Sequence, residues 1–190
     1  SGTGIESITI PKSVRTAGYF DIYFNYQYNH CYPFYGCKTI KEVTFEEGIT
    51  TIPDNILNLT TLTNESNLTT VNIPDSVTVI GEKAFYCCYE LKMDKLPISI
   101  EKIGESAFAG NNAIVRVDIP KTVSSIGKGA FQQCKNLETV TMNYNDQQIS
   151  DGNGGEKSFE VSFGSNVFEG CEKLTDVQLS ENVITLGGNR

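Results

Sequence analysis

The sequence predicts an α/β solenoid of stacked, strand-rich coils, and three observations predict it. Pro74, Pro97 and Pro120 lie 23 residues apart. The pairs Ile80-Gly81, Ile103-Gly104 and Ile126-Gly127 keep the same interval, as do Ala84-Phe85, Ala107-Phe108 and Ala130-Phe131. Three independent markers in one register define a repeating unit, and a period of this length is the mark of a solenoid. One unit cannot bury its apolar side alone, whereas stacked units share a continuous core.

The unit reads L-x-x-V-x-I-P-x-S-V-x-x-I-G-x-x-A-F-x-x-C, and its cleanest instance runs from Leu68 to Cys88. Val71 and Ile73 alternate with polar residues, which predicts a half-buried strand. Pro74 removes a ladder donor and stops pairing where the chain must turn. Residues 77–80 form a second β-prone run. Gly81 then permits a bend, and residues 82–88 have room for at most about two helical turns. Ala84, Phe85 and Cys88 are expected to face inward from that segment.

The register places coil starts near residues 5, 40, 68, 91, 114, 137 and 174, in a single domain spanning 1–190 whose last coil is incomplete. Six to seven coils at about 4.8 Å each give a stack roughly 30 Å long. Insertions interrupt the period at 18–33, 58–66 and 143–157. Asp94 stands at a normally apolar strand position, which predicts a local irregularity in the coil that starts at Leu91.

The I-P-x-[ST]-V-x-x-I-G-x-x-A-F core at 73–85, 96–108 and 119–131 resembles the BspA-like class of leucine-rich repeats, and the resemblance covers nearly the whole chain. That class is known from surface proteins of bacteria and some protozoa. The resemblance implies a right-handed solenoid exposed outside the cell or on its surface and used for adhesion or recognition, not for catalysis. The partner it implies is a protein or glycan of a host or neighbouring cell. A spacer within a larger surface protein is the alternative.

Composition narrows the partners further. The formal net charge is -8 and no Lys/Arg cluster occurs, so a nucleic-acid backbone would be repelled. No apolar run approaches the roughly 18 residues that cross a bilayer, so no membrane insertion is expected in this segment. His30 beside Cys31 is the only candidate for Cys–His chemistry, and adjacent residues rarely aim at one another. His30, Cys31 and Cys37 also lack the paired spacing of a metal site. No catalytic residue, metal ligand or cofactor is therefore assigned.

Recognition is expected at the x positions of L-x-x-V-x-I, the outward side of the first strand in each coil. Across the coils this side is polar and Thr-rich, with Thr70, Asn72, Arg116, Asp118 and Thr139 as candidate contacts. Arg116 is its one hot-spot type. A second candidate lies in the first insertion, where nine of the chain's nineteen aromatics fall between Tyr19 and Tyr35. If 22–28 is one strand, Ile22, Phe24, Tyr26 and Tyr28 share a face. Tyr23, Tyr26 and Tyr28 suit contact with protein or sugar, and an aromatic hairpin capping the open end of the stack is the competing role. The insertion at 143–157 lacks the full oxygen-ligand pattern of a calcium loop and reads as a polar loop. Three sequons begin at Asn58, Asn64 and Asn67. Cys37, Cys88, Cys134 and Cys171 each follow the Phe position by three residues and are expected to line the core.

Overall fold

Parallel ladders of very short strands build the protein. A computed structural model describes residues 4–17, 20–24, 27–31, 33–34, 37–58, 66–93, 95–142, 160–181 and 183–187. In chain order the strands are β1 (Ser7–Ile10), β2 (Phe20–Phe24), β3 (Gln27–Cys31), β4 (Glu42–Phe45), β5 (Thr51–Ile52), β6 (Thr70–Asn72) and β7 (Val79–Ile80). They continue as β8 (Lys102–Ile103), β9 (Arg116–Ile119), β10 (Ser125–Ile126), β11 (Thr139–Met142), β12 (Val161–Ser165), β13 (Asp176–Gln178) and β14 (Val183–Gly187).

The L-x-x-V-x-I segments give two parallel sheets, β1-β4-β6 and β9-β11-β13, and the runs that carry the Ile-Gly pairs, with their equivalents at Ile52, Phe163-Gly164 and Leu186-Gly187, give a six-stranded parallel sheet, β5-β7-β8-β10-β12-β14. Registers follow the repeat: Val43 pairs with Val71, Val117 with Val140, and Ile80 with Ile103. The apolar position of each coil thus stacks on its equivalent. Phe85 and Phe108 stack with ring centroids 5.2 Å apart, and Phe108 and Phe131 at 5.3 Å. Phe168 continues the column at 6.0 Å. All three of Phe85, Phe108 and Phe131 are shut off from solvent.

No helix forms among the described residues, which corrects the expected helical turns at 82–88. The reason lies in alternate residues. Lys83 and Cys87 take positive φ (51° and 58°), as do Ser106 and Gly110 in the next coil, and a left-handed residue at every fourth place cannot sit in an α-helix. The backbone donors go elsewhere instead. Ala84, Tyr86 and Cys88 close tight turns onto Gly81, Lys83 and Phe85, whereas Lys83, Phe85 and Cys87 donate to Glu105, Ala107 and Ala109 of the next coil. The segment is therefore a third inter-coil ladder made of turns.

The Cys position has a polar role as well as an apolar one. The Cys88 thiol donates to the Leu57 carbonyl at 3.2 Å, Cys134 to Phe108 at 3.2 Å and Cys171 to Phe131 at 3.1 Å. Asn111 takes the same place and donates to Phe85 at 2.8 Å. Every one of these residues feeds the carbonyl at the Phe position of the preceding coil. Cys37 breaks the pattern and is exposed, so its expected place in the core is corrected. It stands at the turn before Ile40. Burial pushes the Cys134 thiol up to about 12, with the neighbouring Cys171 adding to the rise, and pushes Cys171 to about 11. Cys134 and Cys171 are free thiols, each spent on its own carbonyl.

Asn111 carries a cost that cysteine avoids, because its Oδ1 is buried without a hydrogen-bond partner. Asn111→Cys is expected to match or exceed the parent stability by up to about 1 kcal/mol, since it keeps a donor to Phe85 and removes the orphan acceptor. Asn111→Val supplies no donor and is expected to lose about 1–2 kcal/mol. Urea-denaturation midpoints of the two variants, read against the parent, check the order.

Candidate binding surface

The first strands of successive coils lie side by side, so their outward residues form one face. Glu6, Lys41, Glu42, Thr70, Asn72, Lys92, Lys95, Arg116, Glu138, Thr175, Asp176 and Gln178 are all exposed there. Repeat register joins the candidate contacts into two groups. In the first, Glu42 pairs with Thr70 and Thr44 with Asn72. The Asn72 amide donates to Glu42 Oε1 at 2.7 Å and Thr44 Oγ1 at 3.0 Å, which holds that part of the face rigid. In the second, Arg116 and Asp176 flank Thr139 on the two sides of β11, and Asp118 lies beside Thr141.

Asp118 departs from the expected exposure: its side chain is only 5 % exposed. It accepts a hydrogen bond from Arg116 Nε at 2.8 Å, while the Arg116 side chain stays 55 % exposed. A buried carboxylate thus orients the exposed guanidinium through a charge-assisted hydrogen bond. Lys41 with Glu6, by contrast, is an exposed pair at 3.0 Å that fixes little.

Between the two groups the ladder breaks. Among the described residues of 91–97 only a single bridge remains, Lys95 with Asp118. This is the coil in which an irregularity was expected at Asp94, which itself lies outside the described residues. The break opens a cleft of about 260 Å³, walled by Val71, Ile73, Met93 and Leu96 and rimmed by Lys92 and Lys95. Met93 occupies the repeat position of Arg116. Lys92, Lys95 and Arg116 therefore gather positive charge on one stretch of a chain whose formal charge is -8. Sequence reasoning placed these residues on the face but did not single out the cleft. The apolar-to-acidic change at Asp94, read as a break in the sheet, was the available signal.

The aromatic insertion forms an antiparallel hairpin, β2 with β3, in which Tyr23 is opposite Tyr28. A single strand carrying Phe24, Tyr26 and Tyr28 on one face is thereby excluded, since the chain reverses within it. Tyr26 lies outside the described residues, and among the described residues neither strand joins another sheet. The 143–157 loop is also outside them, as is most of 58–66. Asn58 of the first sequon is buried and bonded to Asn55 Oδ1 at 3.0 Å, whereas Asn67 is exposed. Among the described residues no group of three or more His, Cys, Asp or Glu could hold a metal ion, and no helix is long and apolar enough to cross a membrane.

Known proteins carry the same architecture. The leucine-rich repeat protein of T. pallidum superposes with a TM-score of 0.61 at 24 % identity, over 81 % of this chain and 63 % of that one. A leucine-rich repeat protein from Bacteroides ovatus gives 0.56 at 24 % identity, over 94 % of this chain and 46 % of that one. The chain thus spans less than two thirds of either. No curated protein matches its sequence. The family model described as a BspA type leucine-rich repeat region matches six copies, over residues 1–66, 60–153 and 157–190. Strands, turns and stacked Phe column all follow that repeat, and the chain belongs to the BspA-type leucine-rich repeat family.

Proposed function

We propose that this chain is a non-enzymatic recognition or adhesion module, displayed extracellularly or at the cell surface, that binds a protein or glycan of a host or neighbouring cell. The observation that carries it is the Lys92- and Lys95-rimmed cleft on the strand face, one coil before Arg116, which buried Asp118 orients. A cleft with a cationic rim of Lys92 and Lys95 suits an acidic segment of a partner protein. The oriented Arg116 has the character of a binding hot spot, because little freedom remains to be lost on contact. Family membership supports the surface setting and the absence of catalysis.

The test is a binding screen of the purified chain against extracellular-matrix and host-surface proteins. For any partner found, Lys92→Glu/Lys95→Glu is expected to weaken binding at least tenfold and to flatten its dependence on salt, since rim charges steer association. Arg116→Ala is expected to act in the same direction, with melting curves run to follow the cost of leaving the buried Asp118 without its Arg116 partner. A partner that binds the charge-reversed chain normally would remove the cleft from consideration. Loss of binding in Tyr23→Ala/Tyr28→Ala instead would move the site to the hairpin.

A further inference from the structure

The turn ladder holds a pocket that the strand face does not use. We propose that the hollow between Tyr86 and Gln132 on this ladder binds a neutral saccharide. The proposal deepens the recognition reading above and rests on it, but it uses a different side of the coils.

Repeat register creates the hollow. Residues 83–89, 106–112 and 129–135 occupy equivalent places in three successive coils, joined by bonds from Phe85 to Ala107 and from Phe108 to Ala130, each 2.8 Å. Where the first coil carries Tyr86 and Cys87 and the third carries Gln132 and Gln133, the middle coil has only Ala109 and Gly110. The small pair sinks the floor, and the flanking coils rise as walls two strand spacings, about 10 Å, apart. The pocket measures about 250 Å³, and Tyr89, Asn112 and Lys135 complete its lining. A pocket this short fits one or two rings better than an extended peptide.

Its chemistry divides by wall. On one side stand the half-buried phenol rings of Tyr86 and Tyr89, with Cys87 beside them in the lining. Burial raises both phenols above their ordinary value, and Cys87 adds to the rise, so they stay neutral at physiological pH. On the other side are amides. Gln132 Nε2 is fixed by Glu169 Oε2 at 2.8 Å, which leaves its second N–H and its carbonyl for a ligand, and Asn112 Oδ1 accepts from the Lys135 backbone at 3.3 Å. Aromatic faces receive the C–H side of a sugar ring, and oriented amides exchange hydrogen bonds with its hydroxyls. Lys135 is paired with Glu172 at 3.4 Å, and the chain as a whole is acidic, which disfavours an anionic ligand.

The experiment uses immobilised neutral hexose and N-acetylhexosamine oligosaccharides, with sialylated and sulfated versions beside them, and titrates each hit by calorimetry. Binding to at least one neutral oligosaccharide is expected. Tyr89→Ala is expected to reduce its affinity at least tenfold. Lys135→Trp, at an exposed side chain that blocks the mouth, is expected to do the same with an unchanged melting curve. Lys92→Glu/Lys95→Glu should leave sugar binding intact, so failure here and failure of the strand face are read separately. Absence of any neutral hit, preference for the anionic sugars, or a hit indifferent to Lys135→Trp would overturn the proposal. So would loss of a protein partner, and of no sugar, in the two pocket variants, because the pocket would then be a peptide site.

Discussion

Phe108→Ala is expected to destabilise the protein by about 3–5 kcal/mol. The ring sits in the middle of a column, 5.2 Å from Phe85 and 5.3 Å from Phe131, with planes inclined by 19° and 4°. It is shut off from solvent on all sides. Removing it takes away the transfer energy of the ring and leaves a cavity, and two neighbouring rings lose a stacking face together. The coils cannot close over the gap. Their spacing is fixed by backbone bonds on either side of the ring, from Phe85 to Ala107 and from Phe108 to Ala130. Phe108→Leu fills much of the volume and is expected to lose less than half as much. Denaturant unfolding followed by far-ultraviolet circular dichroism measures both. A loss below about 1.5 kcal/mol for the alanine variant would mean that the column contributes little and that the β ladders alone hold the coils.

Much of this fold was legible because the repeat marks each coil several times over. The alternation at Val71 and Ile73, the proline that follows and the recurring Ala-Phe pair were enough to place the half-buried strand, its end and the core column. The turn ladder was not legible. Residues 82–88 contain good helix formers, and local propensity cannot reveal that half of their backbone donors are claimed by the next coil. Positive φ at Lys83 and Cys87 is likewise invisible in residue type; Gly110 and Gly170 at the Cys87 position hinted at it. The sites were less legible still. Arg116 and Asp118 read as two exposed charges, yet one orients the other from a buried position. Tyr86 and Tyr89 drew no notice beside the aromatic insertion. They matter through contrast with Ala109 and Gly110 one coil later, which appears only when the coils are stacked side by side.

Gly104→Ala is expected to cost about 3 kcal/mol or more, although only one methyl group is added. The sequence suggested that glycine at this position serves a bend, as at Gly81. The backbone shows otherwise, for neither Gly81, Gly104 nor Gly127 has positive φ. What the position needs is closeness. The Gly104 amide donates to the Ile80 carbonyl at 2.8 Å, which draws the two coils together. A Cβ there would lie 2.5 Å from the Gly81 carbonyl carbon and 2.6 Å from the Glu82 nitrogen. Both are main-chain atoms and no rotamer change can clear them, so the coils must separate and stretch the ladder. A Cβ on Gly127 would meet the Glu105 nitrogen at 2.5 Å, so the same constraint recurs one coil on. Gly110 offers the contrast. Its φ is 79° and a Cβ would meet nothing nearer than the Cys87 sulfur at 3.3 Å. Gly110→Ala is therefore charged mainly with left-handed strain, about 1–2 kcal/mol. Urea midpoints of the two alanine variants test the order directly. If Gly104→Ala proves the milder, backbone contact between coils is not what selects glycine after the isoleucine.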